Sequence, residues 1–153
     1  RIAKELTDAT CHSGSAVNVV FSVGLNDCGR TDGENEVPIE DYRENLKVIV
    51  DEARETADTV IAVGLTPVDE ERLNKEDSMA FYTNSMVKQY DDVMREVCEE
   101  KDVKFMPVFE KLQGDDWTEN LFDGLHPNTE GHRKIFELVK DDIKAELSLQ
   151  HSR

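Results

Sequence analysis

The sequence predicts one α/β domain in which a parallel β-sheet is covered by helices on both faces. Three observations carry that prediction. Short β-branched runs alternate with longer stretches whose apolar residues recur at helical spacing, in the order helix–strand–helix–strand–helix–strand–helix. The strand runs are almost wholly apolar, as strands buried on both faces are. The 153 residues match the size of one ordinary domain.

The elements follow in order. Ile2, Ala3, Leu6 and Ala9 share one helical stripe with no N-cap before them, so residues 1–11 read as the end of a helix already under way. No initiator Met is present, and the expectation is that the chain has lost its natural beginning. A polar break over residues 12–15 leads into the β-branched strand Ala16–Val23, flanked by glycines. The stretch from Gly24 to Pro38 is a loop rich in Asn, Asp and Gly. From Ile39, Tyr42, Leu46, Ile49, Val50 and Ala53 mark a helix to about Thr56. Thr59–Val63 is the second strand and ends in Gly64-Leu65-Thr66-Pro67.

A charged loop spans Val68–Glu76, and Asp77 is expected to cap a long helix carrying Phe81, Met86, Tyr90, Val93, Met94 and Val97. The third strand is Val103–Val108, with Pro107 near its exit, and Phe109–Gln113 adds a helical turn. The loop Gly114–Pro127 is long enough to suggest function. Asn128 or Thr129 opens a closing helix with Ile135, Phe136, Val139 and Ile143 on one face. Residues 1–148 form a single domain and residues 149–153 a frayed tail.

Composition narrows the function classes. The 34 acidic residues outnumber 18 basic ones and leave a formal charge of −16, which repels phosphate backbones and disfavours nucleic acid as a partner. No apolar run approaches the roughly 20 residues of a membrane-spanning helix, and the first residues hold no secretory apolar core. Cys11, Cys28 and Cys98 are odd in number and form neither a CxxC pair nor a zinc spacing. A disulfide framework is therefore not expected, and the expected location is the reducing cytoplasm.

In parallel α/β sheets, ligands sit beyond the carboxyl ends of the strands. Two motifs fall at that rim. Gly24-Leu25-Asn26-Asp27 directly follows the first strand. Its glycine permits a sharp turn, and the Asn26 amide is a neutral donor suited to a developing oxyanion; an ordinary β-turn has the same composition. Asp123-Gly124-Leu125-His126-Pro127 precedes the closing helix. A carboxylate three residues before an imidazole can orient the ring and stabilise its protonated form, so that His126 serves as base and then as acid. A capping Asp beside a surface His reads equally well from these residues alone.

Together the motifs change the balance. Gly-x-Asn-Asp after a strand, followed by Asp-x-x-His-Pro before a final helix, resembles the SGNH hydrolases, also called GDSL-type esterases and lipases. The likeness runs from about Arg1 to Leu147, with Val19–Asp27 similar to the family's third conserved block and Leu121–Ile135 to its fifth. It implies a three-layer α/β/α sandwich with a flavodoxin-like parallel sheet, and hydrolysis of small-molecule esters through an acyl-enzyme without metal or organic cofactor. It also implies roles: Asn26 in the oxyanion hole, Asp123 as triad acid, His126 as triad base, and Gly24 as the glycine preceding the oxyanion Asn. The motifs specify neither the ester nor an oligomeric state.

The nucleophilic serine of that family, in a Gly-Asp-Ser motif, and its oxyanion-hole glycine have no match here. Both are expected upstream of Arg1, together with two strands and a helix. Ser13 and Ser15 precede the first strand and belong to the opposite rim, and Ser22 falls inside it, so none is a substitute. As written, the chain is expected to be nearly inactive, and its first strand to be left as an unpaired apolar edge. Two rival readings are a non-catalytic binding module of the same fold, against which Asp123 and His126 count, and a nucleotide binder, which would need a glycine-rich phosphate loop.

Other residues admit two readings. Asp27 holds the turn or supports Asn26. Trp117, Leu121 and Phe122 line a substrate pocket or pack in the core. Glu70, Glu71 and Arg72, in the loop that follows the second strand at the same rim, are expected to shape substrate access. His12, His132 and His151 read as surface residues, and Cys28 beside the site is reactive only if its pKa is lowered.

Overall fold

The computed structural model describes residues 16–76, 78–114 and 116–150. Its principal sheet has three parallel strands, β1 (Asn18–Phe21), β4 (Thr59–Val63) and β5 (Lys104–Met106), in the order β1-β4-β5. Asn18 pairs with Thr59 and Phe21 with Ala62 on one side of β4, and Ile61 pairs with Lys104 on the other. A small hairpin, β2 (Arg30–Thr31) with β3 (Glu34–Asn35), stands beyond the carboxyl end of β1. The helices are α1 (Ile39–Thr56), α2 (Glu70–Leu73), α3 (Asn84–Glu100) and α4 (Thr129–Gln150), with a 3-10 turn at Thr118–Asn120.

Strand alternation divides the core into two layers. Ala62 turns to one face, where Leu46 and Tyr42 of α1 and Val87, Tyr90 and Met94 of α3 are buried with it. Ile61 and Val63 turn to the other, against Val139 of α4 and Trp117 and Leu121 of the preceding loop. This gives the α/β/α sandwich. In α1 the buried residues Tyr42, Leu46, Val50 and Ala53 repeat at helical spacing. Leu46 and Val50, at 1% and 0% exposure, each contribute roughly 1.5–3 kcal/mol of burial. The Tyr42 and Tyr90 rings tilt against each other with centroids 4.9 Å apart, joining α1 to α3.

Four expectations are corrected by packing. The strand expected over Ala16–Val23 is shorter, because Asp58 closes its amino end: the Asp58 N–H donates to the Val17 carbonyl and the Asp58 carboxylate accepts the Val17 N–H, both at 2.8 Å. β5 stops at Met106 since Pro107 has no N–H to donate.

The third helix begins at Asn84, capped by the Thr83 hydroxyl, which accepts the Met86 N–H at 3.1 Å. Phe81 therefore lies outside it and bridges to Arg30, and Asp77 lies outside the described residues. On α4, Phe136 is 59% exposed, while Ile135, Leu138, Val139 and Ile143 face the core.

Two elements arise where loops were expected. The hairpin lies within residues 24–38, and α2 lies within residues 68–76, capped by Asp69, whose carboxylate accepts the Arg72 N–H at 3.0 Å. Among the described residues, β1 pairs with β4 alone, and its Val20 is 47% exposed.

Candidate active site

Local chemistry shapes the turn after β1. Gly24 has φ of +115°, a left-handed conformation that an L side chain rarely adopts, and a Cβ there would lie 2.6 Å from ring carbons of Tyr42. The chain turns through the Cys28 N–H, which donates to the Gly24 carbonyl at 3.2 Å, and the Gly29 N–H, which donates to Asn26 at 3.1 Å. The Tyr42 hydroxyl donates to the Val23 carbonyl at 2.9 Å and ties the turn to α1. Asn26 is exposed at the tip, and its side-chain amide has no hydrogen-bond partner among the described residues. The neighbouring Asp27 carboxyl is pushed up by burial.

The second motif forms a closed loop. The His126 carbonyl accepts the Phe122 N–H at 2.7 Å, and Leu121 bridges Pro127, so residues 121–127 return on themselves. Within it, Asp123 Oδ2 lies 2.7 Å from His126 Nδ1. Its other oxygen accepts the Leu125 N–H at 2.9 Å and the His126 N–H at 2.8 Å. Desolvation opposes ionisation of Asp123, but these two N–H groups and the imidazole outweigh it and bring its pKa down to about 2. An ionised Asp123 accepts the Nδ1 proton and leaves Nε2 of the neutral ring with its lone pair. Both side chains are open to solvent. Asn128 then caps α4, its Oδ1 accepting the Glu130 and Gly131 N–H groups at 3.0 Å.

A cavity of about 620 Å³ opens at the carboxyl ends of β1 and β4. Asn26 and Asp27 line it from one side, Thr66 from a second, and Pro127 and His132 from a third. The first motif lines this cavity through Gly24, Leu25, Asn26 and Asp27, whereas the second reaches it through Pro127 alone, and Asp123 and His126 are not among its lining residues. His132 is exposed as expected, but it belongs to this wall, a placement that follows from α4 packing against the sheet and has no local sequence signal. Ser22 lies one residue beyond β1, not inside it; its hydroxyl donates to the Gly64 carbonyl at 3.4 Å. Ser13 and Ser15 lie outside the described residues, as does the helical stripe of residues 1–11.

The open alternatives resolve individually. Trp117 and Leu121 are core residues at 2% and 3% exposure, and the Trp117 Nε1–H donates to the Pro67 carbonyl at 2.8 Å. Phe122 is 74% exposed. Cys28 is buried, its thiol donating to the Leu25 carbonyl at 3.1 Å, and burial with the nearby Asp27 charge pushes its pKa up to about 12. That is the reverse of an activated thiol.

This α/β arrangement is shared with solved proteins. It matches the lipase/acylhydrolase of Enterococcus faecalis with a TM-score of 0.66 at 22% identity, over 84% of this chain and 61% of that one. It also matches the α/β hydrolase LAE5 from the Lake Arreo metagenome, with a TM-score of 0.56 at 26% identity, over 77% of this chain and 55% of that one.

By sequence, the rice GDSL esterase/lipase WDL1 is 31% identical over 71% of this chain and 45% of its own length. The isoamyl acetate-hydrolyzing esterase of Saccharomyces cerevisiae is 30% identical over 90% of this chain and 61% of its own. The chain thus spans between about half and three fifths of these relatives. Residues 5–134, which carry both rim motifs and the sheet between them, match the model of the GDSL-like lipase/acylhydrolase family, and the chain belongs to that family.

Proposed function

We propose that this chain supplies the base, the orienting acid and one oxyanion donor of an esterase that cleaves small acyl or acetyl esters through an acyl-enzyme. The observation that carries the reading is the 2.7 Å contact between Asp123 Oδ2 and His126 Nδ1. Because the other Asp123 oxygen is fixed by two backbone N–H groups, the carboxylate holds the ring in one orientation and tautomer.

In this reading His126 Nε2 takes the proton from a serine hydroxyl as it attacks the ester carbonyl. The protonated ring then returns that proton to the departing alcohol, and a water repeats the sequence to release the acid. The free Asn26 amide donates to the oxyanion of each tetrahedral intermediate. The attacking serine comes from sequence upstream of Arg1, in keeping with the greater length of the relatives. Among the described residues, Ser22 gives its hydroxyl proton to the Gly64 carbonyl instead of an imidazole. The name of the yeast relative supports acetate esters of small alcohols as the substrate class.

Without its nucleophile a triad enzyme loses on the order of 10⁶ in kcat. The purified 153-residue chain is therefore expected to leave a short-chain nitrophenyl ester unhydrolysed. Turnover by this chain that disappears in His126→Ala would place the nucleophile within it and overturn that part of the reading. In the longer protein, His126→Ala and Asp123→Ala are each expected to lower kcat by at least about 10³-fold. Retention of full activity in both would overturn the assignment of this pair as base and acid, and an inactive wild-type longer protein would leave a binding module as the better account.

A further inference from the structure

The charged segment after β4 grips the loop that carries Asp123 and His126. Arg72, on α2, donates through Nη2 to the Phe122 carbonyl at 2.8 Å and through Nη1 to the Leu121 carbonyl at 3.4 Å. The Asp69 N–H donates to the Gly124 carbonyl at 2.9 Å. Gly124 has φ of +95°, and a Cβ on it would stand 3.2 Å from Leu73 Cγ and 3.3 Å from Arg72 Cβ, so α2 and the loop are in close contact. Three successive parts of the loop, at residues 121–122, 123 and 124, are thereby held from outside, from within and from outside again.

The gripping segment is itself anchored on two sides. Asn84, at the start of α3, accepts the Val68 N–H at 2.8 Å and donates to the Val68 carbonyl at 2.9 Å. Trp117 donates to the carbonyl of Pro67 from the opposite side. Asp69 caps α2 and so sets where the Arg72 side chain leaves the helix.

We propose that Arg72 is a positioning residue for the Asp123–His126 pair: its planar fork holds the Leu121 and Phe122 carbonyls and fixes the loop from which both side chains project. The guanidinium is suited to this because its donors diverge in one plane and reach two adjacent carbonyls at once, which an ammonium cannot do with the same geometry. The charge expected to face substrate is turned to the protein's own backbone instead. This role rests on the acyl-transfer reading for its purpose, but its geometry can be tested without turnover.

The test is the tautomer of His126 in the 153-residue chain, read from imidazole ¹⁵N shifts at a pH where the ring is neutral. The tautomer is set by the hydrogen bond that the ring makes, so it reports directly whether Asp123 still faces Nδ1. Wild type is expected to hold the Nδ1–H form. Arg72→Ala is expected to lose roughly half of that preference, and Arg72→Gln, which keeps one planar donor without charge, to recover part of it. An unchanged tautomer in Arg72→Ala overturns the proposal, whatever happens to the melting temperature.

It is also overturned if Arg72→Lys matches wild type while Arg72→Gln matches Ala, since charge alone would then be the cause. Should Arg72→Ala not fold, the Gln and Lys variants decide between the same outcomes. Failure here leaves the ester-hydrolase reading standing, and failure of that reading in the His126→Ala assay leaves the tautomer result unaffected.

Discussion

The Asp91 carboxylate accepts the Leu65 N–H at 2.8 Å, so a charged group at 2% exposure pins the chain where it leaves β4 for the cavity wall. The contact is close on all sides: a Cβ on Gly64 would lie 2.6 Å from Asp91 Oδ1. Asp91→Ala strands the Leu65 N–H in a buried site and is expected to cost about 1–3 kcal/mol of unfolding free energy. Asp91→Asn keeps an acceptor and is expected to stay within about 1 kcal/mol of wild type in urea unfolding. Burial raises the Asp91 pKa above 3.8, with the Leu65 N–H and the Lys88 charge opposing the rise incompletely. A raised carboxyl pKa favours the fold below 3.8, and that contribution is lost as pH rises through the folded value. Asp91→Asn removes this component from the pH–stability curve.

Asp123 behaves in the opposite sense. Its folded pKa of about 2 lies below the ordinary 3.8, so its contribution to stability is complete above 3.8 and lost as pH falls toward 2. Carboxyl ¹³C shifts are expected to give a midpoint near 2 in wild type. In His126→Ala the midpoint rises toward the ordinary carboxylate range, because the imidazole contact is gone while desolvation remains. A midpoint unmoved by His126→Ala would mean that the ring and carboxylate are not paired in solution.

The turn bearing Asn26 offers a sharper structural test. Gly24→Ala forces a side chain into a left-handed conformation and against the Tyr42 ring. The expected loss is about 2 kcal/mol or more. Tyr42→Phe removes only the hydroxyl that donates to Val23, and about 1 kcal/mol is expected to be lost. Thermal melts of the two variants should rank in that order.

Thiol labelling reads the core directly. Burial pushes Cys28 up to about 12 and Cys98 up to about 11, and neither is accessible in the folded chain. Iodoacetamide at neutral pH is expected to leave both unmodified in native protein and to label both in urea, as read by peptide mass spectrometry. Rapid native labelling of Cys28 would show that the Asn26 turn opens.

The exposed edge of β1 predicts behaviour in concentrated solution. Val20 stands at 47% exposure on a strand paired on one side among the described residues. Val20→Lys is expected to reduce self-association in light scattering without lowering the melting temperature, since a charge on an edge strand blocks pairing with another chain.

Much of this protein was written locally in its sequence. The helix Ile39–Thr56 and the strand Thr59–Val63 follow from apolar spacing that repeats within a few residues. The Asp123–His126 contact is equally local, because a capping carboxylate, two backbone N–H groups and an imidazole three residues on close a single turn. The Asn26 turn follows from a glycine that must take positive φ.

Tertiary structure decided what distant segments do to one another. Phe81 has helical spacing, yet its N–H and carbonyl pair with Arg30, 51 positions earlier, and the helix waits for Thr83. His132 reaches the cavity wall only because α4 lies along the sheet. Arg72 reads in sequence as part of a rim loop that shapes substrate access. Its hold on Leu121 and Phe122, about 50 residues away, exists because the chain folds α2 against that loop. Short-range hydrogen bonds and periodic burial are set by neighbouring residues. Contacts across such separations depend on which surfaces the whole core brings together, and only the folded chain specifies that.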